Sequence, residues 1–292
     1  MPQGDRAVEV AAPAKINLYL HVVGRREDGR HRLDTVFVFP ELADTLRAEP
    51  ASGFSLTLGG PWATALSAES PADNLALTAA RRLAAATGHA GGTRLHIEKR
   101  VPVAGGLGGG SADAAAALKA CRRLWGVDVA QARLAGLAED LGADVPACLA
   151  SRPVHASGIG EHLTPLAGTP PWGVLLANPG RELSTGDVFR AFHDGANAYR
   201  RPLPDCARWR EADWLARATG NDLEAPATAH LAEIGEMLAD LRAMPGLRLA
   251  RMSGSGATCF ALFDSVGEAE RARERLGAIR PGWWSWAGGF AE

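Results

Sequence analysis

Lysine is almost missing from this 292-residue chain: of 31 basic residues, only Lys15, Lys99 and Lys119 are lysine. Arginine serves as the surface cation, so a retained lysine points to a place that needs a compact ammonium and has no room for a planar guanidinium. Cysteine is scarce as well. Cys121, Cys148, Cys206 and Cys259 are widely spaced, with no Cys-x-x-Cys pair, which speaks for reduced thiols and against a disulfide framework or a zinc motif. No basic run is long enough to suggest nucleic acid, the net charge is only −2, and no apolar run is long enough to span a bilayer. Asp5, Arg6 and Glu9 stand where a secretory leader would be apolar. The expectation is a cytoplasmic protein with neither nucleic-acid nor membrane partner. There is no internal repeat, and the length suits one large or two ordinary domains with ample core.

Glycine, by contrast, is concentrated. Five glycines fill six positions, Gly105, Gly106, Gly108, Gly109 and Gly110, and an alanine-rich helical pattern follows at once. Glycine permits positive φ and lets backbone approach a ligand closely. Ser111 or Asp113 is the expected cap of the helix that follows, whose first turn would present N–H groups and a positive dipole end to phosphate. The loop is not a P-loop, because no lysine follows until Lys119, and it is not a dinucleotide fingerprint, because Ser111 stands where a third glycine should be.

Periodicity predicts strands over 8–12, 16–23, 35–39, 54–58 and 93–99, and helices over 73–87, with Asp73 as cap, 111–125 and 129–141. A second section begins around 155–165. It holds strands over 173–177, 247–252, 258–263 and 283–287, with helices over 185–192, 228–243 and 267–276. Mixed strands and helices in this order predict two α+β domains. Residues 194–220, rich in proline and tryptophan, give no clear reading. The tryptophans at 283, 284 and 286 are expected to be buried.

The loop, with Pro102 ahead of Gly-Leu-Gly and Ser111 after it, resembles the phosphate loop of the GHMP kinases, the family of galactokinase, homoserine kinase and mevalonate kinase. Further blocks strengthen the resemblance: Pro13-Ala-Lys-Ile-Asn-Leu18 leading to Gly24-Arg-Arg-Glu-Asp-Gly-Arg-His31, and Met252-Ser-Gly-Ser-Gly-Ala-Thr-Cys-Phe260. Shorter echoes are Asp73-Asn-Leu75, Gly142-Ala-Asp-Val-Pro146, Gly158-Ile-Gly-Glu161 and Asn221-Asp-Leu-Glu224. Together they are similar to the branch that phosphorylates the 2-hydroxyl of cytidine diphosphate-linked methylerythritol in non-mevalonate isoprenoid synthesis. The alternative is another GHMP alcohol kinase, of the homoserine or mevalonate type.

That resemblance implies an α+β, two-domain GHMP kinase fold. The N-terminal domain (1–156) would be like ribosomal protein S5 domain 2, the C-terminal domain (157–292) ferredoxin-like, with the active site in the cleft. It implies ATP, with Mg²⁺, as cofactor, the cytidyl compound as small-molecule partner, and a monomer or weak homodimer. Lys15 and Asp144 become the catalytic pair. Pro102, Val103, Ala104, Gly105, Gly106, Leu107, Gly108, Gly109, Gly110, Ser111 and Ala112 become the ATP loop, with Asn74, Leu75 and Lys99 on the adenine side. Asn17, His31, Thr185 and Phe189 fall to the substrate, His31 at the cytosine edge and Phe189 stacked on its face. Gly254 and Gly256 would form a tight turn beneath the loop. The sequence departs from the family at two places. Arg30 replaces the usual tyrosine before the histidine, and Ala112 replaces the second serine of the loop, so no metal ligand is assigned.

Overall fold

The computed structural model describes residues 7–66, 74–195, 197–203 and 205–291; Asp73, the expected cap, lies outside them. In chain order the first elements are β1 (Val8–Pro13), β2 (Ile16–Arg25), β3 (His31–Val38), β4 (Ala43–Ala51), β5 (Phe54–Gly59), α1 (Leu75–Thr87) and β6 (Gly92–Glu98). Next come α2 (Gly109–Trp125), α3 (Gln131–Leu141), α4 (Val145–Ala150), β7 (Val154–Gly158), β8 (His162–Pro165) and β9 (Gly173–Asn178). The remainder is α5 (Thr185–Asp194), α6 (Ala212–Ala218), α7 (Glu224–His230), α8 (Ala232–Arg242), β10 (Leu249–Met252), β11 (Cys259–Phe263), α9 (Val266–Ile279) and β12 (Trp284–Gly288).

Two compact units result, and neither is one continuous stretch. The first comprises Met1–Ala14, Ala43–Val103 and Gly108–Ser151; the second comprises Lys15–Leu42, Ala104–Leu107 and Arg152–Glu292. They differ from the consecutive segments 1–156 and 157–292, because the hairpin of β2 and β3 pairs with β7 through β3 rather than with β1 or β4.

In the first unit the strands run in the order β1-β4-β6-β5, antiparallel except for the parallel β5–β6 pair. Leu95 and Ile97 face inward, as the alternation predicts. The inner face is covered by α1 and α2. Alanine dominates the buried face of α2 (Ala112, Ala114 to Ala117, Ala120), so the helix can lie close against its neighbours. Asn74 caps α1 by accepting from Ala76 N at 2.9 Å, and Gly88, at φ +67°, ends it.

Beneath the start of α2 lies a buried ion triad. Lys99, at the end of β6, donates its ammonium to Asp44 of β4 and to Asp113 of α2, the latter at 2.6 Å. All three residues are at most 3% exposed. Asp44 also accepts from the backbone N–H groups of Arg100 and Val101, so one carboxylate fixes both the lysine and the entry to the glycine loop. Desolvation opposes the charge on Lys99, but the two carboxylates outweigh it and raise its pKa. Burial pushes the Asp113 carboxyl up to about 7 despite the nearby ammonium.

The second unit holds two four-stranded antiparallel sheets, β2-β3-β7-β8 and β10-β11-β9-β12. β9 and β11 are buried along their whole length, and α8 and α9 pack against their sheet. The helix expected over 228–243 is two, α7 and α8, broken where Leu231 turns to an extended conformation and buries its side chain. The tryptophans at 283, 284 and 286 are half-buried rather than buried, with the Arg280 guanidinium 4.7 Å from the Trp283 ring centre.

Described residues of 194–220, the segment that gives no clear reading in the sequence, and Asp222 after it bond to the first of these sheets. Arg200 N donates to Val22 O, Leu20 N to Gly220 O and Asp222 N to Leu20 O. Leu203 N donates to Asp34 Oδ2 at 2.6 Å, and Trp209 is buried.

Removing the ammonium of Lys99 strands two buried carboxylates. Lys99→Met is expected to destabilise the protein by about 3–5 kcal/mol, read as a lower urea midpoint at unchanged slope. Asp113→Asn should cost clearly less, because Asp44 keeps its partner.

Candidate active site

In the first unit, α2 starts at Gly109, two residues before the expected Ser111, and its N-cap is Gly108 at φ +67° with no side-chain cap. The capping role expected of Ser111 or Asp113 is therefore not realised: Ser111 sits within the first turn, and Asp113 points inward to Lys99. Glycine at the cap keeps the loop backbone bare. Ala112 N makes the first helical bond, to Gly108 O at 2.8 Å, so the N–H groups of Gly109, Gly110 and Ser111 lie ahead of the ladder, the kind of helix end that suits an anion. Pro102 is buried, Val103 half-buried and Gly110 exposed.

Lys99, expected on the adenine side, has its side chain inside the fold. With its ammonium spent on two carboxylates and 2% of the residue exposed, it supports the loop from below. Asn74 is the α1 cap and Leu75 is half-buried in its first turn. Asp144 occupies the N-cap position of α4 but makes no capping hydrogen bond with its side chain, so its carboxylate is not there to close the helix.

In the second unit, Lys15 and Asn17 come together as their alternation predicts: Lys15 Nζ donates to Asn17 Oδ1 at 2.8 Å. Asn17 Nδ2 donates to Thr35 Oγ1 at 2.9 Å, which fixes the amide so that its oxygen faces the lysine. The lysine is only 5% exposed, and its ammonium is 5.0 Å from the Phe37 ring centre. Its own N–H donates to Leu107 O at 2.8 Å.

The glycine turn expected beneath the loop is present and interlocks with it. A Cβ on Gly106 (φ +72°) would come within 2.4 Å of Ser253 O, and one on Gly254 (φ +59°) within 3.1 Å of Gly106 O and 3.4 Å of Lys15 Nζ. Ser253 Oγ donates to Gly106 O and accepts from Asn17 N, both at 3.2 Å. Thr258 N donates to Gly105 O at 3.1 Å. Gly105, Gly106 and Leu107 are thus bonded to Lys15, Ser253 and Thr258, with the Lys15 ammonium against Gly254 of the turn. Ala104, exposed at φ +51°, completes this stretch of loop. Thr185 at the start of α5 shares a hydrogen bond with Ser255 at 2.8 Å.

His31 and Phe189 also meet. Their rings stack with centroids 5.1 Å apart and planes 21° from parallel. Phe192, His193 and Tyr199 surround the same imidazole. His31 Nε2 is buried with no hydrogen-bond partner among the described residues. Burial first, then Arg25 and His193, hold its pKa below the usual imidazole value, so the ring is neutral at pH 7. Arg30 points elsewhere, paired with Asp28 at 3.2 Å.

Thr35 and Tyr199 carry no sequence signal, and Ser253 and Asn221 stand in quoted motifs without an assigned role. Asn221 Nδ2 donates to Met252 O and Gly254 O, both at 2.8 Å, and so shapes the glycine turn. The motif Asn221-Asp-Leu-Glu224 was the one available signal for it.

Comparison with known proteins bears on all of this. The GHMP kinase N-terminal domain matches residues 74–152 and the GHMP kinase C-terminal domain residues 204–280. The 4-diphosphocytidyl-2-C-methyl-D-erythritol kinase of Paracoccus denitrificans is 50% identical over 96% of this chain and 96% of its own. That of Rhodospirillum rubrum is 48% identical over 97% of this chain and 92% of its own. A crystal structure of 4-(cytidine 5′-diphospho)-2C-methyl-D-erythritol kinase, 40% identical, superposes with a TM-score of 0.79 over 98% of this chain and 100% of that one. With near-full-length identity of this order on a shared two-domain GHMP fold, the chain belongs to the 4-diphosphocytidyl-2-C-methyl-D-erythritol kinase family of GHMP kinases.

Proposed function

We propose that the protein transfers the γ-phosphoryl group of ATP to the 2-hydroxyl of 4-diphosphocytidyl-2-C-methyl-D-erythritol, giving the 2-phosphate and ADP, a step of the non-mevalonate route to isopentenyl diphosphate. The observation that carries the reading is the buried Lys15 ammonium, held by Asn17 Oδ1 and lying against Gly254 of the turn that interlocks with Gly106. A nearly desolvated cation beside bare backbone suits an anion whose charge spreads during reaction.

Phosphoryl transfer is chiefly positioning and charge neutralisation. The hydroxyl oxygen bonds to the γ-phosphorus, the bond to the β–γ bridging oxygen breaks, and ADP leaves with that electron pair. The hydroxyl proton passes to the Asp144 carboxylate, which is far less basic than an alkoxide and so receives it as transfer proceeds rather than beforehand. Lys15 neutralises charge at the transferring group, with Asn17 holding its ammonium in place. The N–H groups ahead of the α2 ladder hold the nucleotide phosphates. Ser111 is the single hydroxyl of residues 102–112 that would be available to a nucleotide-bound magnesium ion, which would neutralise phosphate charge, since Ala112 stands where a second would be.

At the other end of the acceptor, Phe189 supplies a ring face for cytosine. The neutral His31 accepts a hydrogen bond from the cytosine amino group at Nε2, the buried atom with no hydrogen-bond partner among the described residues. Thr185 borders the glycine turn through Ser255.

An ADP-release assay comparing the cytidyl substrate with homoserine and mevalonate tests the assignment. Turnover on the cytidyl compound is expected, and turnover only on another alcohol would refute it. Asp144→Asn is expected to lower kcat by about 10²–10⁴-fold with ATP binding retained; loss of both would assign Asp144 a structural role. Phe189→Ala is expected to raise KM for the cytidyl substrate roughly ten- to a hundredfold, the worth of one base–aromatic stack, with kcat little changed. Because the His31 pKa is lowered, the same KM should stay level through neutral pH and climb only in acid, below about 6.5. A rise centred above that value would exclude His31 as its source.

A further inference from the structure

Away from the glycine loop, one face of the β2-β3-β7-β8 sheet brings together three side chains of metal-ligating type. Asp34 on β3, His155 on β7 and Cys206, in the segment lying across that face, each offer one ligand atom, and these atoms all lie within 4.8 Å of one another. Among the described residues they are the one such group. The pairing Val36↔His155 and Asp34↔Ser157 makes Asp34 and His155 diagonal neighbours on a single face. His155 Nε2 already donates to Asp34 Oδ1 at 2.9 Å.

We propose that Asp34, His155 and Cys206 form a binding site for one zinc-class divalent transition-metal ion. Thiolate, imidazole and carboxylate are the donor types that suit zinc. A tetrahedral zinc ion places such ligand atoms about 3.3–3.6 Å apart, so the trio needs side-chain adjustment but no rebuilding of the sheet. Three protein ligands leave a fourth position for water.

The surroundings fit a held ligand set. Tyr19 Oη donates to Asp34 Oδ1 at 2.7 Å and lies 3.2 Å from Cys206 Sγ. Leu203 N donates to the other carboxylate oxygen at 2.6 Å. Outer partners of this kind orient a ligating carboxylate. Asp34 and Cys206 are buried, whereas the His155 side chain is 24% exposed and gives the ion a way in. Binding displaces the Nε2 proton of His155 and the thiol proton of Cys206, so two protons leave as one ion enters. Thiolate in the donor set discriminates against Mg²⁺. The ion would fasten Cys206, and the segment it belongs to, onto the sheet.

The test uses the full chain, stripped with chelator and titrated with Co²⁺ as spectroscopic probe. The expected result is a thiolate-to-cobalt charge-transfer band that saturates at one equivalent, is abolished by Zn²⁺ and persists in excess Mg²⁺. The melting temperature should rise with Zn²⁺ and level off at the same stoichiometry. Cys206→Ser and His155→Gln should lose both the band and the shift. A wild-type titration without the band overturns the proposal by itself, whatever the variants do. A band and shift retained in Cys206→Ser would overturn it equally, by placing the metal on another thiol.

Discussion

The buried triad of Lys99, Asp44 and Asp113 is the constraint on which the phosphate loop depends. Desolvating three charges is costly, and the arrangement survives because the lysine reaches both carboxylates while Asp44 spends its other oxygen on the backbone of Arg100 and Val101. The triad therefore ties together the sheet, the entry to the loop and the first turns of α2. A glycine-rich segment has little stiffness of its own. Here its entry is fixed by Asp44 through Arg100 N and Val101 N, and its middle by hydrogen bonds from Lys15 N, Ser253 Oγ and Thr258 N.

Much of this was legible in the sequence, for identifiable reasons. The glycine loop was readable because clustered glycine and then clustered alanine are strong signals in succession. Lys15 and Asn17 were readable because side chains two apart on an extended chain share a face. The strand β4 escaped notice because Asp44 occupies one of its inward positions and Ala48 another, which breaks the apolar alternation. The sequence points to Ser111 as the start of α2 because a serine has a capping side chain, whereas the left-handed conformation of Gly108 leaves no mark in the sequence. Asn17 N to Ser253 Oγ spans 236 residues, and no local pattern encodes such a contact.

The rarity of lysine also acquires a physical meaning. Lys15 and Lys99 are buried, and Lys119 is half-buried and donates to Ser151 Oγ at 2.9 Å; each uses its ammonium as a compact point charge or donor. The buried Arg251 is the complementary case. Its guanidinium donates to Leu18 O, Leu215 O, Thr219 O and Thr219 Oγ1, a spread of acceptors suited to its fork. Burial lowers its pKa to about 10, still well above neutral, so the charge is retained.

The interleaving of the two units has a consequence for synthesis. Residues 15–42 leave the ribosome early, yet β3 must wait for β7, and Asn17 for Ser253, before their pairings exist. The first unit is complete in sequence by Ser151, before β7 has been made. During translation β3 therefore presents an unpaired edge, the feature most prone to wrong association. The order of synthesis makes this hairpin, rather than the nucleotide loop, the place where a nascent chain needs protection.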